Sequence, residues 1–474
     1  MTTERGTIVD AITQRSRKHR LPDASLRAFL NGVSKVQSGD SGLIREAEIE
    51  PVDSLLHAST FEADPAKAKE LFRHLAVIKL NGGLGTGMGL NGPKSLLKVK
   101  GSMTFLDIIA KQVLSYRDHS NGVAPAFYLM NSFSTQEQSL AFLQEKYPRL
   151  ADRRGRLDFL QGKVPKLMSD TLLPAEWPED PDLEWCPPGH GDIYASLVSS
   201  GLLDELLEDG IRYLFVSNAD NLAATLDGAL LNHFANSGAG FMMEVVRHTA
   251  SDKKGGHLAK RKADGRLILR ELAQCPQDER EQFAAINRYS YFNTNNLWVH
   301  LEELQAVLNN QHNGLLRLPI IKNIKNLDPR NINSPKVLQI ESAMGSAIEC
   351  FPNAVAVEVP RSRFSPVKTT ADMLNLWSDA HHLTDDYQIR LAESRAGRPP
   401  VVVLDPRYFK YEADLEKRFP SGVPSMLHCD RLEIWGNLIF SPSVECKGEV
   451  RFENRDSNSK KVAPSKYQNR TVVL

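Results

Sequence analysis

The sequence predicts an α/β fold: an open, mainly parallel sheet flanked by helices, with an N-terminal helical layer and a small β-rich C-terminal module. Three observations carry this. Short uninterrupted apolar runs recur at 75–80, 124–130, 156–161, 211–218, 240–248 and 291–300, the signature of strands buried on both faces. Helix-like stretches separate them at 105–117, 134–147, 192–209 and 227–236, and strand alternating with helix makes a parallel sheet. Near residue 400 that alternation stops, and short β-like pieces follow.

In chain order, residues 1–73 are polar with helical apolar spacing at Leu26, Phe29, Leu30 and Val33, read as a helical segment packed on the domain that follows. Residues 74–400 form that domain, opening on the buried strand LAVIKL and a glycine-dense loop. Residues 401–474 form the β-rich module, with VVVLDPRYFK as one more strand before LEIWGNLIF, VECKGEVRFEN and RTVVL. The proline-rich stretch 174–189 is either an ordered loop of the site or a surface excursion.

Composition excludes several functions. The 474 residues carry 58 Lys+Arg against 58 Asp+Glu, a net charge of +0, so no global positive field draws in nucleic acid or an anionic membrane. Any polyanion must be held locally. The N-terminus lacks an apolar core of the secretory kind, and no apolar stretch is long enough to span a bilayer, so a cytoplasmic protein is expected. Cys186, Cys275, Cys350, Cys429 and Cys446 form no C-x-x-C pair, which argues against a disulfide framework or a structural zinc. The adjacent His381 and His382, read as helical, would diverge by about 100° and make no metal pair.

The segment LNGGLGTGMGLNGPKS, residues 80–95, follows a buried strand, and its glycines let backbone N–H groups approach a phosphate chain. It fails as a P-loop, because Pro93 separates Gly92 from Lys94 and Ser95. Gly87, Gly89 and Gly92 satisfy G-x-G-x-x-G, but they begin several residues past the strand and lead into the strand-like SLLKV rather than a helix. An ordinary tight turn accounts poorly for so many glycines beside a lysine.

At these residues the chain resembles the eukaryotic-type UTP-glucose-1-phosphate uridylyltransferases (UDP-glucose pyrophosphorylases), whose nucleotide loop reads L-N-G-G-L-G-T-x-M-G-x-x-G-P-K-S. The resemblance continues through QGKVPK (161–166), PPGHGDIYASL (187–197), FVSNADNL (215–222), FNTNNLW (292–298) and PRSRFSPVKTT (360–370). It implies a nucleotidyltransferase sheet, glycosyltransferase-A-like and Rossmann-like, as the catalytic domain, and a left-handed β-helix-like tail. The implied reaction joins UTP and glucose 1-phosphate into UDP-glucose and pyrophosphate by in-line attack on the α-phosphate, with Mg²⁺. Two anions must be brought together, so positioning and fixed positive charge do the catalysis.

The site residues follow from this resemblance and from local chemistry. Leu80, Asn81, Gly82 and Gly83 form the nucleotide loop, with Lys94 as a clamp on the UTP phosphates. Lys368 is implied to be catalytic; it precedes a T-x-x-D capping pattern at Thr369 and Asp372, where its charge adds to the positive end of a helix. Asp220 ends an apolar strand and is the expected magnesium ligand, since Mg²⁺ takes few carboxylates beside phosphate oxygens. Gln161 has the donor and acceptor that a uracil edge requires, assisted in the family by backbone at Gly189. His190, Asn218 and Ala219 are expected near substrate. Gly255, Gly256, Glu271, Asn293 and Asn295 are candidates for the sugar, strand alternation placing Asn293 and Asn295 on one face and Thr294 and Asn296 on the other.

Two further readings stand beside this one: a uridylyltransferase for other sugar 1-phosphates, and a non-catalytic UTP-binding scaffold. Retention of both lysines, Asp220 and Gln161 argues against the scaffold. The tail is shorter than in the family, so the sequence leaves open whether the chain forms a homo-oligomer.

Overall fold

The computed structural model describes residues 2–119, 125–152, 154–249, 255–285, 287–311 and 314–474. At its centre is an eleven-stranded sheet. Eight strands follow in the order Leu56–His57, Val355–Glu358, Phe241–Arg247, Tyr291–His300, Tyr213–Asn218, Leu75–Asn81, Ala126–Asn131 and Asp158–Leu160. Tyr291–His300 runs antiparallel to both its neighbours, and every other pairing on this path is parallel. The remaining three strands, Ile49–Pro51, His257–Arg261 and Leu267–Arg270, form a side branch that meets the main path where His257 pairs with Phe292.

All six apolar runs contribute strands to this sheet, and its two faces are dry. Leu75 and Val77 enter one apolar layer while Ala76 and Ile78 enter the other, which is why LAVIKL reads as a continuous run rather than an alternating one. The 192–209 stretch is not one helix. It divides into Ile193–Ser199 and Leu202–Glu208 at Gly201, whose φ of 74° lies in the left-handed region that ends helices.

Three other expectations change. Residues 1–73 supply helices Thr2–Lys18, Asp23–Gln37 and Pro65–Phe72, but also two strands of the central sheet, so this segment is more than a helical layer. Only Val401–Leu404 of the 401–410 run is a strand. His381 and His382 lie in a strand paired with Ile389–Leu391 rather than in a helix. Among the described residues no helix is long and apolar enough to cross a membrane, and all five cysteines are free thiols, four of them buried.

The C-terminal strands Val401–Leu404, Ser425–Trp435, Glu445–Glu453 and Lys466–Val473 form a parallel sheet, and Leu438–Phe440 pairs in parallel with Lys460–Val462. Ser425 lies opposite Glu445, and Glu445 opposite Lys466. These three strands therefore stack with a nearly constant repeat, whereas Val401 pairs across a longer interval, with Arg431. Leu432, Ile434, Leu438 and Phe440 point inward, while Trp435 and Ile439 are half-buried. These inward residues belong to the same apolar cluster as Met373 and Leu374 of the helix Thr370–Trp377. A chain ending at Arg418 is accordingly expected to show a lowered thermal transition, because truncation strips this shared core. Calorimetry on the truncated and full chains checks it, and an unchanged Tm would mean the module folds independently.

Candidate active site

The parallel register that sets Asn218 opposite Leu80 brings two strand ends side by side. Beyond one lies the glycine loop and beyond the other Asp220, so the carboxyl edge of the sheet carries both, as expected for an open α/β sheet. They line a cleft of about 520 Å³ together with Lys94, Gln161, Gly189, His190, Asn218 and Ala219.

The glycine loop folds back on itself. Gly85 N–H donates to the Gly92 carbonyl at 2.9 Å, Lys94 N–H to the Gly83 carbonyl at 3.0 Å, and the turn passes through Gly89 at φ 86°. This return brings Lys94 over the strand end. The loop contains two short 3₁₀ turns, Thr86–Met88 and Lys94–Leu96, and opens no α-helix, as its mismatch to the dinucleotide pattern predicts; the strand expected of SLLKV begins only at Lys98. Asn81 lines the cleft with its carboxamide engaged underneath, donating to Asn131 Oδ1 at 2.7 Å and Ser139 Oγ at 2.8 Å.

Lys94 Nζ and Lys368 Nζ both donate to Asp220 Oδ2 at 2.7 Å. Lys94 is held further by the Val367 carbonyl at 2.5 Å and is 19% exposed; Lys368 Nζ has no such second anchor among the described residues and is 57% exposed. The two lysines thus differ in freedom. Burial alone would raise the Asp220 carboxyl, but the Lys368 and Lys94 charges and hydrogen bonds outweigh it and hold the group below the usual carboxylate range. Its other oxygen, Oδ1, is buried without a hydrogen-bond partner among the described residues. Such an orphaned acceptor suits a cation ligand. Among the described residues no group of three His, Cys, Asp or Glu side chains is placed to share a metal, so protein ligands alone would not form a complete cage.

Opposite the lysines, Gln161 Nε2 donates to the Gly189 carbonyl at 2.8 Å. A Cβ at Gly82 would lie 2.8 Å from Gln161 Oε1, and one at Gly189, where φ is 83°, only 2.4 Å from the Ser342 carbonyl oxygen. Gly189 needs glycine for that reason, whereas a side chain at Gly82 would displace the Gln161 carboxamide. Asp192 ties the segments together, accepting from Gly162 N–H at 2.7 Å and Ser196 Oγ at 2.6 Å, and burial pushes its carboxyl up to about 6. His190 Nδ1 accepts from Met344 N–H at 2.9 Å, which places the proton of the neutral ring on Nε2. Burial, aided by the Lys368 charge, lowers His190 to about 4, so it is a neutral donor at physiological pH.

The sugar candidates form a second group on the same edge, where Val245 pairs with Asn293. Asn293 N–H donates to the Gly256 carbonyl at 2.9 Å, and a Cβ at Gly256 would lie 2.9 Å from Glu271 Oε1. Burial pushes Glu271 up to about 7. Asn293 Nδ2 donates to Asn295 Oδ1 at 2.8 Å, while Thr294 and Asn296 both bond Glu244. The pairs are those that alternation predicts, but the strand is not regular: the register breaks opposite Glu244 and Val245, and Asn295 sits at φ 59°. None of Gly256, Glu271, Asn293 and Asn295 lines the cleft itself. Lys253 and Lys254 of the KKGG run lie outside the described residues.

A family model described as UTP--glucose-1-phosphate uridylyltransferase matches residues 26–447. The chain belongs to that family. Among curated relatives so named, that of Solanum tuberosum is 38% identical over 432 residues, covering 89% of this chain and 87% of the relative. That of Encephalitozoon cuniculi is 40% identical over 404 residues, covering 84% and 77%. Among solved structures, a point variant of the Leishmania major UDP-glucose pyrophosphorylase in complex with UDP-glucose superimposes with a TM-score of 0.91 at 43% identity, covering 98% of this chain and 99% of that one. A Trypanosoma brucei structure described as a UDP-glucose phosphorylase gives 0.90 at 42%, covering 99% and 100%.

In this uridylyltransferase-family cleft the structure adds residues that sequence reasoning missed. Beside Lys166 of the QGKVPK motif and Trp185 of the proline-rich stretch, these are Lys325, Gln339 and Glu341. The last three come from Ile321–Asn326 and Lys336–Glu341, strands of a small antiparallel sheet with Leu167–Met168. The alternation of Leu338, Gln339, Ile340 and Glu341 was the available signal. Trp185 pairs through Trp185–Cys186 with Val164–Pro165, so the proline-rich stretch ends as an ordered wall of the site.

Proposed function

We propose that this chain makes UDP-glucose and pyrophosphate from UTP and glucose 1-phosphate within this cleft. The observation that carries the reading is the convergence of Lys94 Nζ and Lys368 Nζ on one Asp220 oxygen while the other oxygen stays buried and unpartnered among the described residues. Asp220, with oxygens of the nucleotide phosphates, would hold Mg²⁺, which when bound supplies charge neutralisation of the phosphate chain. Lys94, the better anchored cation, binds the phosphates that leave. Lys368, the freer one, follows the phosphate that reacts, where the sugar phosphate oxygen attacks and the pyrophosphate oxygen departs in line. His190 donates through Nε2 to a phosphate oxygen without adding charge.

Gln161, poised between Gly82 and Gly189, reads the uracil edge, with Asn218 and Ala219 beside the ribose and phosphates. Gly256, Glu271, Asn293 and Asn295 meet the glucosyl hydroxyls. Residues 1–73 serve as a segment that packs on the catalytic domain of 74–400 and lends two strands to its sheet, and residues 401–474 as a left-handed β-helix-like module, a reading supported by the stacked parallel ladders. The five free thiols support a cytoplasmic setting.

A pyrophosphate-release assay across sugar 1-phosphates and nucleoside triphosphates tests the reading. Turnover is expected with UTP and glucose 1-phosphate and is expected to vanish in excess EDTA; a failure to release pyrophosphate with any uridylyl donor would overturn it. Gln161→Ala should narrow the preference for UTP over CTP, since an unsatisfied buried amide costs about 1–3 kcal/mol. An unchanged ratio of kcat/KM for the two nucleotides would remove Gln161 from base reading.

A further inference from the structure

A buried charge pair lies beneath the active site with no place in the chemistry above. Glu244 sits at the irregular point of the Phe241–Arg247 strand, a carboxylate in the otherwise apolar FMMEVV run, and is 0% exposed. Donors ring its carboxylate. Oε1 accepts from Trp298 Nε1 at 2.9 Å and Arg363 Nη2 at 2.8 Å; Oε2 accepts from Asn296 Nδ2 at 3.0 Å and Arg363 Nε at 2.9 Å.

Arg363 belongs to the segment that leads to Lys368, and that segment crosses the carboxyl edge of the sheet as a strap. Val359 N–H donates to the Val245 carbonyl at 2.8 Å, Ser365 N–H to Asn221 Oδ1 at 3.0 Å, and Val367 N–H to the Asp220 carbonyl at 3.1 Å. Asn221 Nδ2 donates to the Arg363 carbonyl at 3.2 Å. The guanidinium also reaches the other segment of the site: Arg363 Nη2 donates to the Thr225 carbonyl at 2.9 Å, next to the Ala224 carbonyl that accepts from the buried Lys79 at 2.8 Å. One planar fork therefore joins the sheet, the Asp220 loop and the Lys368 strap.

We propose that the Arg363–Glu244 pair is a positioning device for the reaction, fixing the strap so that Lys368 Nζ reaches the reacting phosphate. The proposal rests on the role given to Lys368 above. A buried ion pair is weak evidence for stability as such, because desolvation offsets its attraction; its geometric rigidity is what a reaching lysine needs. The fork also explains why the residue is Arg, since a lysine cannot make the two parallel bonds to Glu244 and the third to Thr225 at once.

The test is a double-mutant cycle in the full chain, with kcat, KM for UTP and Tm measured for each variant. Arg363→Lys is expected to lower kcat about 10-fold or more through misplacement of the strap, with KM for UTP changed less than about threefold. In the Lys368→Ala background the same substitution should cost less than about twofold, because the group it positions is gone. Equal losses in both backgrounds, or a lowered Tm with kcat unchanged, would overturn the proposal. Should Arg363→Lys fail to fold, Asn221→Ala loosens the same strap and carries the same expectations. A Lys368→Ala variant with wild-type turnover would sink the role of Lys368 itself, an outcome distinct from additive losses beside an impaired Lys368→Ala.

Discussion

Replacing Lys368 by alanine is expected to lower turnover by at least about 10²- to 10³-fold, the usual cost of removing one preorganised donor to a developing charge. The structure confines the damage to chemistry. The backbone at Lys368 is held by its own N–H to Asp372 Oδ2 at 2.9 Å, and the helix start by Thr369 N–H to the same oxygen at 2.8 Å. Neither bond uses the lysine side chain, which is mostly in solvent; the one side-chain bond lost is to Asp220, which keeps Lys94 as counter-ion, so Tm should fall by only a few °C. The variant also checks the local electrostatics. His190 is lowered first by burial and second by the Lys368 charge, so removing that charge should let its pKa rise, which NMR titration reads. Turnover within a few-fold of wild type, with only KM raised, would make Lys368 a ground-state binder.

The parts of this molecule that were legible in its sequence are those governed by local rules. Buried strands announce themselves because both faces are dry, so the six apolar runs and the strand-end position of Asp220 could be read directly. The capping pattern at Thr369 and Asp372 is a bond within four residues, and it forms. Contacts between distant segments were not legible. Nothing local marks Glu244 as the partner of Arg363, since a single carboxylate in an apolar strand gives no sign of what neutralises it. Lys325, Gln339 and Glu341 enter the cleft from two short strands, Ile321–Asn326 half-exposed and Lys336–Glu341 largely buried, and their sequence pattern says nothing about which cavity they border. The irregularity at Asn295 is likewise set by pairing with the neighbouring strand. The glycines fall between these cases: their density pointed to a phosphate loop, but the need for glycine at Gly189 comes from Ser342, far along the chain.

Asp220→Asn should abolish metal-dependent turnover, with a loss of at least about 10²-fold that added Mg²⁺ does not restore. Asparagine keeps the shape and one acceptor oxygen but removes the charge that the two lysines share, so the lysines lose their common counter-ion and a cation held there would lose its carboxylate ligand. The substitution also has a stability signature. The Asp220 carboxyl is held below its ordinary value in the folded protein, so its ionised form contributes stability that is fully present above the unfolded carboxylate pKa of about 4 and is lost as pH falls through the lower folded value. The Tm difference between wild type and Asp220→Asn should therefore be largest near neutral pH and shrink in acid. Two measurements separate the readings. A Tm gap that closes in acid, with turnover lost at all metal concentrations, fits an ionised carboxylate that orders both lysines and the cation. Retention of turnover with an unchanged metal requirement would place the cation elsewhere and leave Asp220 as a counter-ion to the lysines alone.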